Sequence, residues 1–500
     1  MKRILPLLLL ASCTVGPNYK LPADATPPAF KEAAGWTTAS PADLLDKGPW
    51  WTLFNDPVLN DLCARIEVSN QNIAAAAAAV DAAQALVREA RAGYFPTLDI
   101  TPSVTKSGGG GSTGTIITTD GGTGTGTTGA GTGTGATGSG GTGSSTIGSS
   151  GSGTRYRITG GANWEPDLWG RVRRTVEQAK GTAAASAADL AAARLSAQST
   201  LATDYLQMRA LDAEIDLVAT TGKSFDRALQ ITVNRYNAGV SAKTDLLQAQ
   251  TQVASTRGDL AELVRQRGVL EHAVAVLSGE APATFVIAHA AWQPVVPDVP
   301  AGIPSTLLER RPDIAAAERR VAAANAGIGV QVAAFYPNLT LTGSVGQSAT
   351  SIGNLFSGSA FLWSLGASLA QSIFDGGLTR GRVAEARATW RQSVATYRQT
   401  VLAALQDTED QLIGARQLAV TYTLRQAASA AADQTEKLVL NQYLAGQVAF
   451  TDVVTVQATA LTARRTLVTA AVNRQATAVS LIRALGGSWE TTYRTPVPAA

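Results

Sequence analysis

Two hydrophobic patterns divide the chain. In the first, apolar residues return at every second position. Leu98, Ile100, Pro102 and Val104 alternate with Asp, Thr and Ser, and Tyr156, Ile158 and Trp164 carry a weaker alternation back. The same beat recurs at Leu339, Leu341 and Val345, then at Phe361, Trp363, Leu365, Ala367 and Leu369. Period two over about 10 residues predicts strands with one apolar face and one small, polar face. That pattern suits a wall between lipid and water, and it equally suits a soluble half-buried hairpin. The second pattern is helical and unusually long. No Pro interrupts residues 170–237 or 377–444, and each run spans about 100 Å at 1.5 Å per residue. Shorter helices are predicted over 241–277 and 450–485, and before the strands over 56–93 and 312–334.

The patterns occur twice because the chain repeats itself. Arg91-Ala-Gly-Tyr-Phe-Pro96-Thr-Leu returns as Val332-Ala-Ala-Phe-Tyr-Pro337-Asn-Leu. Tyr236-Asn-Ala-Gly239 with Asp245 returns as Tyr443-Leu-Ala-Gly446 with Asp452, and Asp167-Leu-Trp-Gly-Arg-Val returns loosely from Asp375. The offset is 443 − 236 = 207 at the tyrosines, 375 − 167 = 208 at the aspartates and 337 − 96 = 241 at the prolines. About 33 extra residues therefore lie between Pro96 and Asp167, in the Gly/Thr/Ser tract 107–153, whose composition cannot build a core. No Gly-Lys-Ser/Thr follows those glycines, so they form no phosphate cradle.

Composition narrows the class. Of 500 residues, 41 are Lys or Arg and 38 Asp or Glu, for a net charge of +3, which excludes a nucleic-acid footprint of the whole chain. Two Cys and two His leave no disulfide framework and no multi-ligand metal site, so no cofactor is expected. Charged residues are only 16% while Gly and Ala are over-used, which points to closely packed helices with small contact faces. Leucines such as Leu190, Leu195, Leu201, Leu206 and Leu217 read as helix packing positions.

The chain starts with an address. Met1-Lys2-Arg3 is a basic n-region and residues 4–11 a short apolar core, too short to cross about 30 Å of hydrocarbon and therefore an export signal. Leu10-Ala11-Ser12-Cys13 resembles the bacterial lipobox, which implies lipidation at Cys13, and Thr14 in place of Asp implies sorting to the outer membrane. Cys63 is then left without a partner. Beyond residue 12 no stretch has the apolar length of a transmembrane helix, so a membrane crossing has to use strands. Four strands cannot close a barrel, because the smallest need about eight. Open edges are intolerable in lipid. Closure requires other copies, and three copies give twelve strands.

Further motifs carry a family resemblance. Cys13-Thr-Val-Gly-Pro-Asn-Tyr-Lys20, Trp50-Trp51-Thr-Leu-Phe-Asn-Asp56-Pro57, Leu308-Glu-Arg-Arg-Pro312-Asp313-Ile, Ala317-Glu-Arg-Arg320, Ala323-Ala-Asn325 and Phe335-Tyr-Pro337 resemble the outer-membrane efflux family of TolC and OprM, in its NodT-type lipoprotein branch. The resemblance implies an α plus transmembrane β fold. Duplicated strand-pair and long-helix units would form a trimeric twelve-strand β-barrel continued by a periplasmic helical barrel. It implies a passive exit duct of a tripartite efflux system, with a homotrimer, a periplasmic adaptor and an inner-membrane RND transporter as partners. The segments are then a signal peptide (1–12), a lipidated segment (13–55), a first tunnel helix (56–95), a hairpin (96–166) and the two helices of repeat 1 (167–280). After a linker (281–311) come a helix (312–336), a second hairpin (337–374), the helices of repeat 2 (375–486) and a tail (487–500).

Local chemistry agrees with several of these assignments. Pro312 suits the first turn of a helix, and Asp313 a helix N-terminus. Pro96 and Pro337 stand where helix must give way to strand and read as helix-to-barrel junctions. Glu318, Arg319 and Arg320 read as surface ion pairs, and Asp407, Glu409 and Asp410 as a solvated helix face.

The candidate site is the pair of helix tips. Tyr236 to Gly239 and Tyr443 to Gly446 are turns, since Gly supplies the left-handed cap that stops a helix. Asp245 and Asp452 follow by six residues each, as charges favoured by a helix N-terminus or, repeated by threefold symmetry, as an acidic ring. By resemblance these tips form the periplasmic gate. The correspondence is partial. The common Leu-Asp-Ala-Gln stretch reads Val454-Thr455-Val456-Gln457, with Thr455 in place of an Asp, Thr451 at a constricting Leu and Val448 at a gate Arg, which implies a weaker lock. His272 and His289 stand alone in the sequence, and no Walker motif is present, so no enzyme is expected. The competing class is a lipid-anchored coiled-coil stalk or adhesin, which would need no barrel. Two Met and two His also disfavour a copper or silver relay and favour drugs, detergents or small amphiphiles as cargo.

Overall fold

The computed structural model describes residues 14–21, 30–33, 49–107, 153–297, 299 and 311–487. The signal segment with Cys13, residues 108–152 of the Gly-rich loop and the tail from 488 lie outside the described residues. The chain divides into two compact units. One comprises residues up to Ala92, Leu168–Tyr336 and the chain from Ile373 onward; the other comprises Gly93–Asp167 and Pro337–Ser372.

The first unit is helical: α1 (Pro57–Ser69), α2 (Gln71–Ala92), α3 (Arg171–Asn237), α4 (Lys243–Leu277), α5 (Pro312–Ala333), α6 (Leu378–Leu444) and α7 (Phe450–Ala484). The repeat is metrically strict. Both long helices have 67 residues and both returning helices 35, and 378 − 171 and 450 − 243 both equal 207. Among the described residues no helix is long and apolar enough to cross a membrane.

The single helix expected from Asp56 is corrected to two. Asn70 is extended (φ −69°, ψ 120°), and its side-chain oxygen accepts from the N–H groups of Asn72 and Ile73, so it caps α2 instead of continuing α1. Asp56 likewise caps α1, accepting from Val58 and Leu59, with Pro57 at the first helical position.

Helix α1 places Leu59, Leu62, Cys63 and Ile66 on one face, all buried. They join Trp50, Trp51, Phe54, Leu201, Tyr205, Met208, Leu412 and Leu481 in the main core. Burying each such side chain stabilises the fold by about 1.5–3 kcal/mol. Burial also pushes the Cys63 thiol up to about 12, so it stays protonated and inert. Alanine and glycine bring α3 and α5 together: a Cβ on Gly181 would lie 3.1 Å from the Cα of Ala323.

The amino-terminal segments are straps over these helices. Arg174, almost fully buried, donates to the carbonyls of Val15 and Gly16 and to Asn18, while Asn325 donates to the Pro17 carbonyl and Tyr19 to Glu318. Glu409 accepts from the backbone N–H groups of Lys31 and Glu32, and Glu32 pairs with Arg416. Residues 407–410 are therefore only partly the solvated face expected, since Asp407 also pairs with Arg311. Arg319 pairs with Glu318, and Arg320 with Asp189.

A buried ionic cluster holds the segment between the repeats. Asp212, fully buried, accepts from Arg209 at 3.0 Å and Arg267 at 2.6 Å. Those guanidinium groups donate to the carbonyls of Ala288 and Ile287, and Glu271 accepts from the Ile287 N–H. His289, solitary in sequence, lies 3.4 Å from Asp216.

The second unit is one antiparallel sheet in the order β1 (Thr97–Ser107), β2 (Gly153–Trp164), β3 (Asn338–Ala349), β4 (Phe361–Ala370). Its register sets Ile100 opposite Gly160, Gly160 opposite Val345 and Val345 opposite Trp363, so the large apolar positions of the four strands share a face, except Leu362, which stands on the polar one in line with Gly346 and Thr159. The apolar face is exposed at Leu98, Ile100, Val104, Trp363, Leu365 and Leu369. Gln347 and the terminal pair Lys106 and Thr154 are its polar exceptions. Among the described residues strands β1 and β4 are edges, each paired on one side only.

Candidate functional site

Each long helix ends in the same way. The Gly239 N–H bonds the Tyr236 carbonyl and the Val240 N–H that of Arg235, and Gly446 and Gln447 do the same to Tyr443 and Gln442, all four at 2.9 Å. This double closure needs a left-handed residue, supplied by Gly239 (φ 72°) and Gly446 (φ 75°). Returning helices α4 and α7 then start from Ala242 and Ala449, which have no side-chain oxygen to cap them.

That deficit occupies the two aspartates. Asp452 accepts from the Ala449 N–H at 3.1 Å, half of a capping box that Ala449 cannot reciprocate. Asp245, in the equivalent third position, accepts from the Ser241 hydroxyl at 2.7 Å. Within one chain both carboxylates therefore steady their own turns, as negative groups do in the first turn of a helix. Thr451 donates to Gln248 at 3.3 Å and so links α7 to α4, whereas Thr455 bonds back to the Thr451 carbonyl on its own helix.

The tyrosines part company. Tyr443 is buried, its ring 5.6 Å from that of Phe450 and the Arg235 guanidinium 5.0 Å over its face. Ala249 and Val453 complete that cluster. Tyr236 is 38% exposed. The residue that corresponds to Phe450 in repeat 1 is Lys243 (450 − 207). Phe450 and Arg235 are site residues that motif reading misses; aligning the repeats at 207 would have found the first.

Each hairpin is also tied by an arginine. Arg257 on α4 pairs with Asp226 on α3, and Arg464 on α7 with Asp433 on α6, again 207 apart. Arg464 gains Glu436 at 2.6 Å, where repeat 1 has Leu229, which packs at the tip cluster.

Pro96 and Pro337 each stand one residue before a strand, β1 and β3, and the boundaries between units fall at 92/93 and 336/337. At the start of α6, the Asp375 carboxylate accepts from the N–H groups of Gly377 and Thr379. Hydrogen bonds to Thr379, then to Gly377, lower its pKa to about 2. Cys13 lies outside the described residues. Among the described residues no group of three or more His, Cys, Asp or Glu side chains is placed to hold a metal ion.

Comparison with known proteins gives one consistent result. The profile of a family described as outer membrane efflux protein matches residues 62–280 and 303–487. The pyoverdine export outer membrane protein OpmQ of Pseudomonas aeruginosa is 30% identical over 487 residues, 97% of this chain and 95% of OpmQ. Nodulation protein T of Rhizobium leguminosarum is 29% identical over 470 residues, 93% of this chain and 89% of the relative. Among solved structures, the open state of the MtrE outer membrane channel of Neisseria gonorrhoeae superposes with a TM-score of 0.80 at 26% identity, covering 95% of this chain and 98% of MtrE.

Proposed function

The chain belongs to the outer membrane efflux protein family, and from that premise we propose that it is the trimeric exit duct of a tripartite efflux system. The open sheet carries this reading. Among the described residues it has one apolar face and two unpaired edges, and no unpaired edge is tolerated in hydrocarbon. Three copies of a four-stranded sheet close one twelve-stranded barrel in the outer membrane, and the paired long helices build the periplasmic tunnel. A lipid on Cys13 adds a second hold on the same membrane. A periplasmic adaptor and an inner-membrane RND transporter engage the tunnel and supply both cargo and energy, so the duct itself works by passage and gating. Family membership leaves the cargo open; drugs, detergents and other small amphiphiles fit a pathway poor in Met and His.

The helix tips form the gate in this proposal. Threefold symmetry repeats Asp245 and Asp452 around the axis, where closely spaced carboxylates attract cations. Replacing both by Ala raises conductance in planar bilayers; conductance that stays the same across pH and salt removes the acidic gate.

The test of the whole reading is the detergent-subtracted mass of protein extracted from outer membranes. A trimer of the 51.6-kDa chain, roughly 150 kDa, is expected. A stable monomer released by removing the lipid would leave four strands with open edges and would favour the stalk.

A further inference from the structure

The sheet register separates charge along the polar face of the strands. That face carries Asp99, Thr101, Ser103 and Thr105 on β1 and Asn163, Gly161, Thr159, Arg157 and Arg155 on β2. Arg157 is flanked by Ser103 on one side and Ser348 on the other, and Arg155 by Thr105. Both arginines are exposed, and neither has an ion pair among the described residues. Asp99 is the one carboxylate in the four strands. It pairs in register with Gly161, four residues along β2 from Arg157, or about 13 Å at strand rise. The arginines lie toward the strand ends that lead into residues 108–152, and Asp99 toward the ends joined in the chain to the helices.

We infer that Arg155 and Arg157 form a cationic ring at the outer mouth of the duct and make its exit favour anionic cargo. The inference rests on the duct reading: with the apolar face toward lipid, the polar face lines the lumen, and three copies present six guanidinium groups within about one strand pleat. A ring of Arg or Lys selects anions because its field adds around a narrow aqueous path walled by low dielectric. Ser, Thr and Gly neighbours supply no counter-charge and leave the guanidinium groups free to reach the solvent. The ligand class is a small molecule carrying a carboxylate, phosphate or sulfonate.

The test labels the outer mouth from outside, where access does not depend on the tips. Arg157→Cys is introduced into the full chain, in which Cys63 is buried, and intact cells are treated with two methanethiosulfonates, one bearing a sulfonate and one a quaternary ammonium. The sulfonate reagent is expected to react several-fold faster relative to the two reagents' rates on a free thiol, and Arg155→Gln in the same chain to remove that preference. No labelling, or no preference for the sulfonate, overturns the ring. In bilayers under a potassium chloride gradient, Arg155→Gln with Arg157→Gln moves the zero-current potential toward cation selectivity; superimposed potentials overturn the inference while leaving the duct intact. The extracted mass reports separately on the trimer, so failure of the ring and failure of the duct are told apart.

Discussion

The two helical hairpins have the same lengths and the same glycine caps, yet different chemistry holds them at opposite ends. In repeat 1 the tie is ionic and lies away from the tip, where Asp212 joins Arg209 and Arg267 and through them the 287–288 segment. Repeat 2 has Ala419 at the place of Asp212, and its matching arginines turn elsewhere, Arg416 to Glu32 and Arg474 to the ring of Tyr422. At the tips the balance reverses. Repeat 2 buries Tyr443 on Phe450 and ties its hairpin through two carboxylates on Arg464; repeat 1 leaves Tyr236 exposed, with Lys243 in place of Phe450 and one carboxylate on Arg257. Backbone caps set the shape of a hairpin, and side-chain packing sets which part of it gives way first. The repeat 1 tip has the fewer ties of its own.

Asp212→Ala tests the contrast hardest. Removing the anion strands the buried Arg209 guanidinium and leaves Arg267 paired with Glu271 alone, and breaking a buried pair costs about 3–5 kcal/mol. Arg416→Ala, at a partly exposed pair in repeat 2, is expected to cost about 1 kcal/mol or less. Thermal unfolding of the two variants compares them directly, and equal losses would abolish the asymmetry.

Phe450→Ala comes next, with a loss of about 3 kcal/mol from a buried aromatic ring, read as faster hydrogen exchange over residues 440–455. Lys243→Ala at the matching position is expected to change exchange at its own tip by no more than about 0.5 kcal/mol.

Gly239→Ala and Gly446→Ala should be alike. Both residues hold a positive φ and neither has an atom within 4 Å of an added Cβ, so each costs about 1–2 kcal/mol of backbone strain. A clear difference in Tm between them would show that the caps are not equivalent.

The smallest expected effect is a pH slope confined to repeat 1. Burial raises the pKa of Asp204 and Glu214 on α3, and their counterparts in repeat 2 are Gln411 and Thr421. A raised carboxyl pKa favours the folded state while the group is protonated, and that contribution is lost as pH rises through the folded-state value. Asp204→Asn with Glu214→Gln should therefore flatten the fall in Tm as pH rises above the ordinary carboxylate range.

Element lengths were legible in the sequence because few residues decide them. Absence of Pro marks the long helices, Gly marks their ends, and a period of two marks strands whose faces differ. The break at Asn70 had a weaker signal, an Asn placed to cap the helix after it, with no Gly or Pro nearby. The ionic cluster was not legible, because Asp212, Arg267 and Ile287 are brought together only by packing. The roles of Asp245 and Asp452 were half legible: their helix-end position follows from spacing, whereas their bonds to Ser241 and Ala449 depend on how the turns close.

The strict 207-residue offset has a consequence for how such a molecule can change. One residue added to a single long helix turns everything beyond it by about 100° and shifts it by 1.5 Å, and every packing position against its own returning helix is lost. Each long helix and its returning helix thus act as a paired gauge whose reach can be altered only in both together. The surplus length of this chain lies instead in the first hairpin, where some 33 extra residues sit between Pro96 and Asp167 without disturbing either gauge.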